Sequence, residues 1–214
     1  MRTLSAPQNS VDGGAASSTP LSVPTQVGTA HPAPALAAPH QTDPTLAAAL
    51  FAAWSGDPAV VVASPPGAGK TRLVVHLAEQ LNRRAALRVA IATQTRAQVL
   101  DVTNRAAAIG AKVALLGTRD SHRPMDLHPQ AGYLKGAADL GRWKGVVVAT
   151  TARWLWVSER DYTADICIVD EAWQMTYADL GGLGPLSAQV VLVGDPAQIA
   201  PVVTGDARRW QDAP

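Results

Sequence analysis

Lys70, Thr71, Asp170, Glu171 and Gln198 are the residues whose types and spacing can act on a phosphate ester. Lys70 and Thr71 close the stretch Ser64-Pro65-Pro66-Gly67-Ala68-Gly69-Lys70-Thr71, which follows the apolar run Ala59–Ala63. Strand, glycine-bearing turn and helix is the order that a phosphate-binding loop requires. The amides of Gly67, Ala68, Gly69, Lys70 and Thr71 can converge on an anion at the positive end of a helix, with Pro66 and Arg72 flanking them. Lys70 is expected to reach the β- and γ-phosphates of ATP, and the Thr71 hydroxyl to be a ligand of Mg²⁺. Asp170 and Glu171 end a second apolar run, Ile166-Cys167-Ile168-Val169. A carboxylate at a strand's C-terminal end can hold Mg²⁺ beside the loop, usually through water, and its neighbour can deprotonate an attacking water. Asp170 is therefore the expected metal residue and Glu171 the expected general base. Gln198 lies in a third strand-to-turn segment, Val191–Pro201. Its amide both donates and accepts, which suits a contact to the γ-phosphate.

Each of these segments has a plainer reading. Gly-Lys-Thr can simply open a helix, Asp-Glu can be a cap favoured by the helix dipole, and Gly-Asp-Pro is an ordinary turn. Their joint presence, each after an apolar run, favours the chemical reading. One departure is visible: the usual loop pattern begins with Gly where this chain has Ser64, and a modest cost in turn geometry is expected there.

The elements that must position these residues follow from periodicity. Asp43 is an expected N-cap with Pro44 in the first helical position, and Leu46, Leu50, Phe51 and Trp54 are the expected apolar face. A helix from Thr71 to about Arg83, a strand at 87–92, a helix from Arg96 to Ala108 and a strand at 112–116 come next. Gly117–Arg142 has no clear assignment. Further apolar runs lie at 146–149, 166–169 and 190–193. Short continuous apolar strands alternating with helices predict an α/β fold, a parallel sheet with helices on both faces. The predicted organisation is a disordered Ala/Pro/Ser-rich leader over 1–42, one nucleotide-binding domain over 43–203, and a tail over 204–214 that begins a further segment.

The chain has 214 residues and a net charge of +1, so its total charge selects no partner. The distribution is uneven. Between Arg83 and Arg153 there are 12 Lys/Arg against 4 Asp, and from Val157 onward 9 acidic residues face 3 arginines. A basic middle can guide a polyanion and an acidic end can carry metal chemistry, although arginines also simply solvate helix faces. With Cys167 as the sole cysteine, no disulfide or zinc-ligand spacing exists within the chain, and a buried small hydrophobe is its expected role. No stretch approaches transmembrane length and no secretory signal is present, so no membrane partner and a cytoplasmic location are expected.

Ser-Pro-Pro-Gly-Ala-Gly-Lys-Thr, Asp-Glu-Ala-Trp-Gln and Gly-Asp-Pro-Ala-Gln-Ile-Ala-Pro-Val, in that order, resemble motifs I, II and III of superfamily 1 helicases. The Gly-Asp-Pro-x-Gln form most resembles the 5′-to-3′ (1B) branch. Ala92–Gln98 occupies the place of motif Ia, and Val148–Arg153 looks like motif Ib. The resemblance spans about Asp43 to Val203. It implies the N-terminal RecA-like domain of a P-loop, AAA-family ATPase that uses ATP and Mg²⁺. It adds Gln174 as a nucleotide contact and Thr95, Arg96, Thr150 and Thr151 as contacts to a single-stranded nucleic acid, with DNA favoured over RNA. In that family a second RecA-like domain supplies motifs IV to VI and the arginines that complete the ATP site. The chain stops 13 residues after Pro201, so that domain is expected in cis from a longer parent or in trans. The family's adenine-reading glutamine lies upstream of motif I, where Gln41 is the near candidate.

Two rival functions stay open at this stage. One is a nucleotide-dependent switch that binds nucleic acid or a partner with little turnover. The other is a small-molecule kinase, which Gly-Asp-Pro-x-Gln disfavours. Trp154 and Trp156 are the best base-stacking candidates, with core packing the favoured role for both. Trp173 is expected at a helix–sheet interface and His76 at an ordinary surface or interface. His122 and His128 lack a third well-spaced ligand.

Overall fold

The computed structural model describes residues 2–5 and 43–198. Gln41, residues 6–42 of the expected leader and everything after Gln198 lie outside the described residues. Within them the chain builds one eight-stranded sheet, every neighbouring pair parallel. The strands are β1 (Arg2–Ser5), β2 (Ala59–Ala63), β3 (Val89–Thr93), β4 (Val113–Leu116), β5 (Gly132–Leu134), β6 (Val146–Thr150), β7 (Ala164–Asp170) and β8 (Ser187–Gly194). Their order across the sheet is β1-β2-β8-β7-β3-β6-β4-β5. The expected α/β fold, a RecA-like P-loop sheet with helices on both faces, is the fold observed.

The strands read as unbroken apolar runs because both sheet faces are covered. On one face α1 (Pro44–Trp54), α2 (Lys70–Ala85) and α3 (Arg96–Ala108) pack on Val60, Val62, Ile91, Val148 and Ile168. The other face, with Ala90, Val147, Cys167 and Val169, is covered by α4 (Ala137–Arg142), α5 (Thr151–Trp154), α6 (Tyr177–Gly182) and the turns around them. Cys167 is buried as expected, and burial pushes its thiol up to about 12. The stretch 117–142, unassigned from sequence, contributes the short edge strand β5 and α4.

Local signals set most boundaries. Asp43 caps α1, its carboxylate accepting from the Thr45 and Leu46 amides at 3.0 and 3.2 Å. A capping box opens α3: the Thr95 hydroxyl accepts from the Gln98 amide at 3.2 Å, and the Gln98 side chain accepts from the Thr95 amide at 2.9 Å. Two expectations need correction. Arg2–Ser5, placed by sequence in a disordered leader, forms a strand in register with Val60–Ala63, because the open edge of β2 offers an unpaired ladder. Phe51 and Trp54 are 66% exposed, and α1 buries Ala49, Ala52 and Ala53 beside Leu46 instead. Small side chains let this helix approach α2 and β2 closely. His76 is buried on α2, the interface half of its expectation.

Candidate nucleotide site

All strands run the same way, so their C-terminal ends share one edge, the place where open α/β sheets carry their sites. Ala63, Thr93, Thr150, Asp170 and Gly194 end β2, β3, β6, β7 and β8 at that edge. The register pairs Ala63 with Gly194, Asp170 with Val193, and Thr93 with Thr150. The strand carrying Asp170 is separated from the loop strand β2 by β8.

The loop after β2 turns through Gly67 and Gly69, at φ +74° and +82°, a backbone region that a Cβ disfavours. Gly69 is the N-cap of α2, and Lys70 and Thr71 occupy its first turn, where backbone donors lack an intrahelical partner. Within the loop the Ala68 amide donates to Pro65 O at 3.3 Å. Ser64 is buried, and its amide donates to Gly194 O at 2.8 Å. It is not among the residues with positive φ, so the expected cost of replacing the first loop glycine is not incurred. A cavity of about 380 Å³ opens along the loop, bounded by Lys70, Arg72 and Leu73 on one side and Asp43, Thr45 and Leu46 on the other.

Contacts join the three sequence segments. Lys70 Nζ lies 3.7 Å from Glu171 Oε1. Gln174 Nε2 donates to Gln198 Oε1 at 3.0 Å. The Ser64–Gly194 bond closes the circuit between β2 and β8. Gly194 is also where Trp173 packs, since a Cβ there would sit 2.7 Å from its ring, which places Trp173 between the 172–174 turn and the sheet as expected. Beyond β8, Asp195 Oδ1 accepts from the Ala197 amide at 2.9 Å and Asp195 O from the Gln198 amide at 3.2 Å, which shapes the turn that presents Gln198.

Asp170 is 3% exposed, and its Oδ1 accepts from the Glu171 amide at 3.1 Å. Burial first, then the charge of Glu171, push its carboxyl up to about 6. Glu171 is held at φ +56°, ψ +46°, an unusual conformation for a side chain of its length. That conformation turns Glu171 toward Lys70 while Asp170 stays beneath. Glu171 Oε2 is buried with no hydrogen-bond partner. Two adjacent carboxylates, one orphaned oxygen and a nearly buried lysine at a helix N-terminus fit a divalent cation carrying phosphates.

Farther along the edge, Thr95 and Arg96 are exposed at the start of α3, and Thr150 is half-buried. Thr151 is a correction: it is 5% exposed, and its hydroxyl donates to Thr93 O at 3.2 Å. Its side chain ties the ends of β3 and β6 together and is not displayed for a strand. The two tryptophans also part company. Trp154 is buried as expected, donating to Ile91 O at 2.9 Å and stacked on Tyr162. Trp156 is 84% exposed, against the expected core role, because α5 ends after one turn and the following turn carries Trp156 outward. No group of three or more His, Cys, Asp or Glu able to hold a metal occurs among the described residues, the His122–His128 loop included. No described helix is long and apolar enough to cross a membrane.

A model of the AAA domain family matches residues 45–211, well over half of the chain. The chain belongs to the AAA domain family. Solved structures agree on the fold of this AAA domain. The Type ISP restriction-modification enzyme LlaGI, in complex with a DNA substrate mimic, matches with a TM-score of 0.57 at 15% identity, over 77% of this chain and 18% of that one. The UvsW helicase of bacteriophage T4 matches with 0.52 at 13% identity, over 71% and 51%. The Sulfolobus solfataricus SWI2/SNF2 ATPase core domain matches with 0.50 at 15% identity, over 71% and 30%. This AAA domain thus spans about half of one of these chains and less of the others. No curated protein matches the chain. Membership in a P-loop ATPase family implies use of a nucleotide and Mg²⁺.

Proposed function

We propose that this AAA domain is the ATP-binding and ATP-hydrolysing RecA-like lobe of a superfamily 1 DNA helicase-like protein. The observation that carries the reading is the meeting of the Gly69, Asp170 and Gln198 segments at one sheet edge, joined by the Lys70–Glu171 and Gln174–Gln198 contacts.

In this reading Pro66–Arg72 cradle the triphosphate, with Lys70 on the β- and γ-phosphates. Thr71 and Asp170 hold Mg²⁺, which when bound neutralises charge developing on the phosphate oxygens. Arrival of the phosphates draws Lys70 from Glu171. The freed Glu171 carboxylate then orients a water and takes its proton as the γ-phosphorus is attacked, while the bond from that phosphorus to the bridging oxygen breaks and ADP leaves with it. Gln198 and Gln174 sense the γ-phosphate from opposite sides of their mutual bond. Thr95, Arg96 and Thr150 contact the backbone of a single DNA strand along the same edge. A second RecA-like domain, in cis or in trans, supplies the arginine that typically adds about 10³–10⁵ in rate and the closure that moves a strand. The lobe alone hydrolyses slowly, in the cytoplasm.

A second reading is a nucleotide-dependent binding switch with little turnover. It holds if the Lys70–Glu171 contact, 3.7 Å here, persists with nucleotide bound, since the base is then kept from water. Phosphate release from ATP, with and without single-stranded DNA, separates the two. Stimulation by DNA supports the motor lobe. ATP binding without turnover under both conditions supports the switch, and equal ATP affinity in Lys70→Ala overturns both.

A further inference from the structure

Among the described residues only Ala86 and Glu171 hold a positive φ without being glycine. Ala86 closes α2, the usual place for that conformation. Glu171 instead opens the short 172–174 turn, a position where the backbone is ordinarily extended, and stands at φ +56°. Backbone strain of this kind persists only where the surroundings enforce it. The hydrogen bonds of the Glu171 backbone are local. Its amide donates to Asp170 Oδ1 at 3.1 Å, and its carbonyl accepts from the Gln174 amide at 3.0 Å. Those bonds shape the turn, but they do not fix it against the sheet.

Trp173 supplies that restraint. Its ring lies against Gly194, where a Cβ would sit 2.7 Å from the ring and 3.0 Å from Ala172 N. Gly194 is itself a fixed platform. It ends β8, pairs in register with Ala63, and its carbonyl accepts from the Ser64 amide at 2.8 Å. Met175 is buried just after the turn, so the indole is the contact that lies between Glu171 and that anchor. A return of Glu171 to negative φ would swing the turn about the Glu171 N–Cα bond and lift the ring off Gly194. A small side chain at position 173 would leave the turn free to do so.

We infer that Trp173 is a positioning residue: pressed between its own turn and Gly194, it holds Glu171 in the left-handed conformation that aims the carboxylate at the phosphate site. The effect on rate rests on the ATP-hydrolysing reading, and the effect on the backbone does not. A general base must be placed closely to work, and a misplacement of about 1 Å can cost about 10²-fold. Trp173 acts on the reaction through Glu171 alone.

Urea unfolding of paired variants of the full chain tests the backbone claim without any turnover. Glycine accepts positive φ and alanine does not, so Glu171→Gly is expected to unfold at higher urea than Glu171→Ala. Adding Trp173→Ala to each should erase or reverse that order, because the released backbone no longer needs glycine. An undiminished order overturns the proposal, whether or not the chain hydrolyses ATP. Single-turnover hydrolysis tests the consequence. Trp173→Ala should slow it by about 10- to 100-fold with ATP affinity unchanged, and Trp173→Phe should restore most of the rate. In a Glu171→Gln background Trp173→Ala should cost nothing further, since both changes act on one group. A further loss in that background, or weakened ATP binding, marks a merely structural role and overturns the proposal. An erased urea order in a chain that binds ATP without turnover supports the brace and overturns the hydrolytic reading instead.

Discussion

Gln174 Nε2 donates to Gln198 Oε1 at 3.0 Å, across 24 positions of sequence and between the turns that follow β7 and β8. The two amides satisfy each other where a γ-phosphate is proposed to lie, so nucleotide must compete with this bond. Gln198→Ala is expected to leave ATP affinity within about threefold, the worth of one modest hydrogen bond. It should remove most DNA stimulation of phosphate release. Equal stimulation in the variant would show that Gln198 reports nothing.

Glu171→Gln separates binding from chemistry. Loss of a general base typically costs about 10²–10⁴ in rate, and single-turnover hydrolysis should fall by that order. ATP binding should persist, since Lys70 is then released from its ionic partner. Titration with a fluorescent ATP analogue beside quenched-flow hydrolysis reads both.

Asp170 makes stability depend on pH in a stated direction. Its carboxyl is pushed up from 3.8 to about 6, so between these values the native state keeps a proton that the unfolded chain releases. The stability it contributes is fully present below about pH 4 and is lost as pH rises through 6. The whole effect is at most about 3 kcal/mol. Denaturant titrations without Mg²⁺ at pH 4 to 7 should show Asp170→Asn gaining on the native chain as pH rises. A constant difference between the two would refute the assignment.

The two tryptophans beside β6 should behave oppositely. Trp154→Ala removes a buried ring, its bond to Ile91 O and its stack on Tyr162, and should cost about 3–5 kcal/mol. Trp156→Ala should change stability by less than about 0.5 kcal/mol. Urea unfolding of both variants decides the matter.

Much of this arrangement is legible in the sequence because the relevant signals are local. Asp43–Pro44 and Thr95 with Gln98 announce helix starts, and α3 runs over Arg96–Ala108 as expected. Unbroken apolar runs announce buried strands, and in a parallel sheet the residues ending them must gather at one edge. What stays hidden depends on partners distant in sequence. The side of α1 that is buried is decided by how closely α2 and β2 approach, which favours Ala49 and Ala53 over Phe51 and Trp54. Thr151 is withdrawn from solvent by Thr93 O, 58 positions away. Trp156 is exposed because a one-turn helix ends before it, and no periodicity marks so short an element. The left-handed backbone of Glu171 has no sequence signal at all, since glutamate is an uncommon residue there.

The pairing of Arg2–Ser5 with Val60–Ala63 gives the first residues a duty toward solubility. With that strand in place, β2 is an interior strand flanked by β1 and β8. Trimming the chain to begin at Asp43 would leave Ala59-Val60-Val61-Val62-Ala63 as a bare margin: flat, aliphatic and without a charge or proline to discourage a neighbouring molecule from adding its own strand. Such a shortened protein should self-associate through the very ribbon that leads into the phosphate loop.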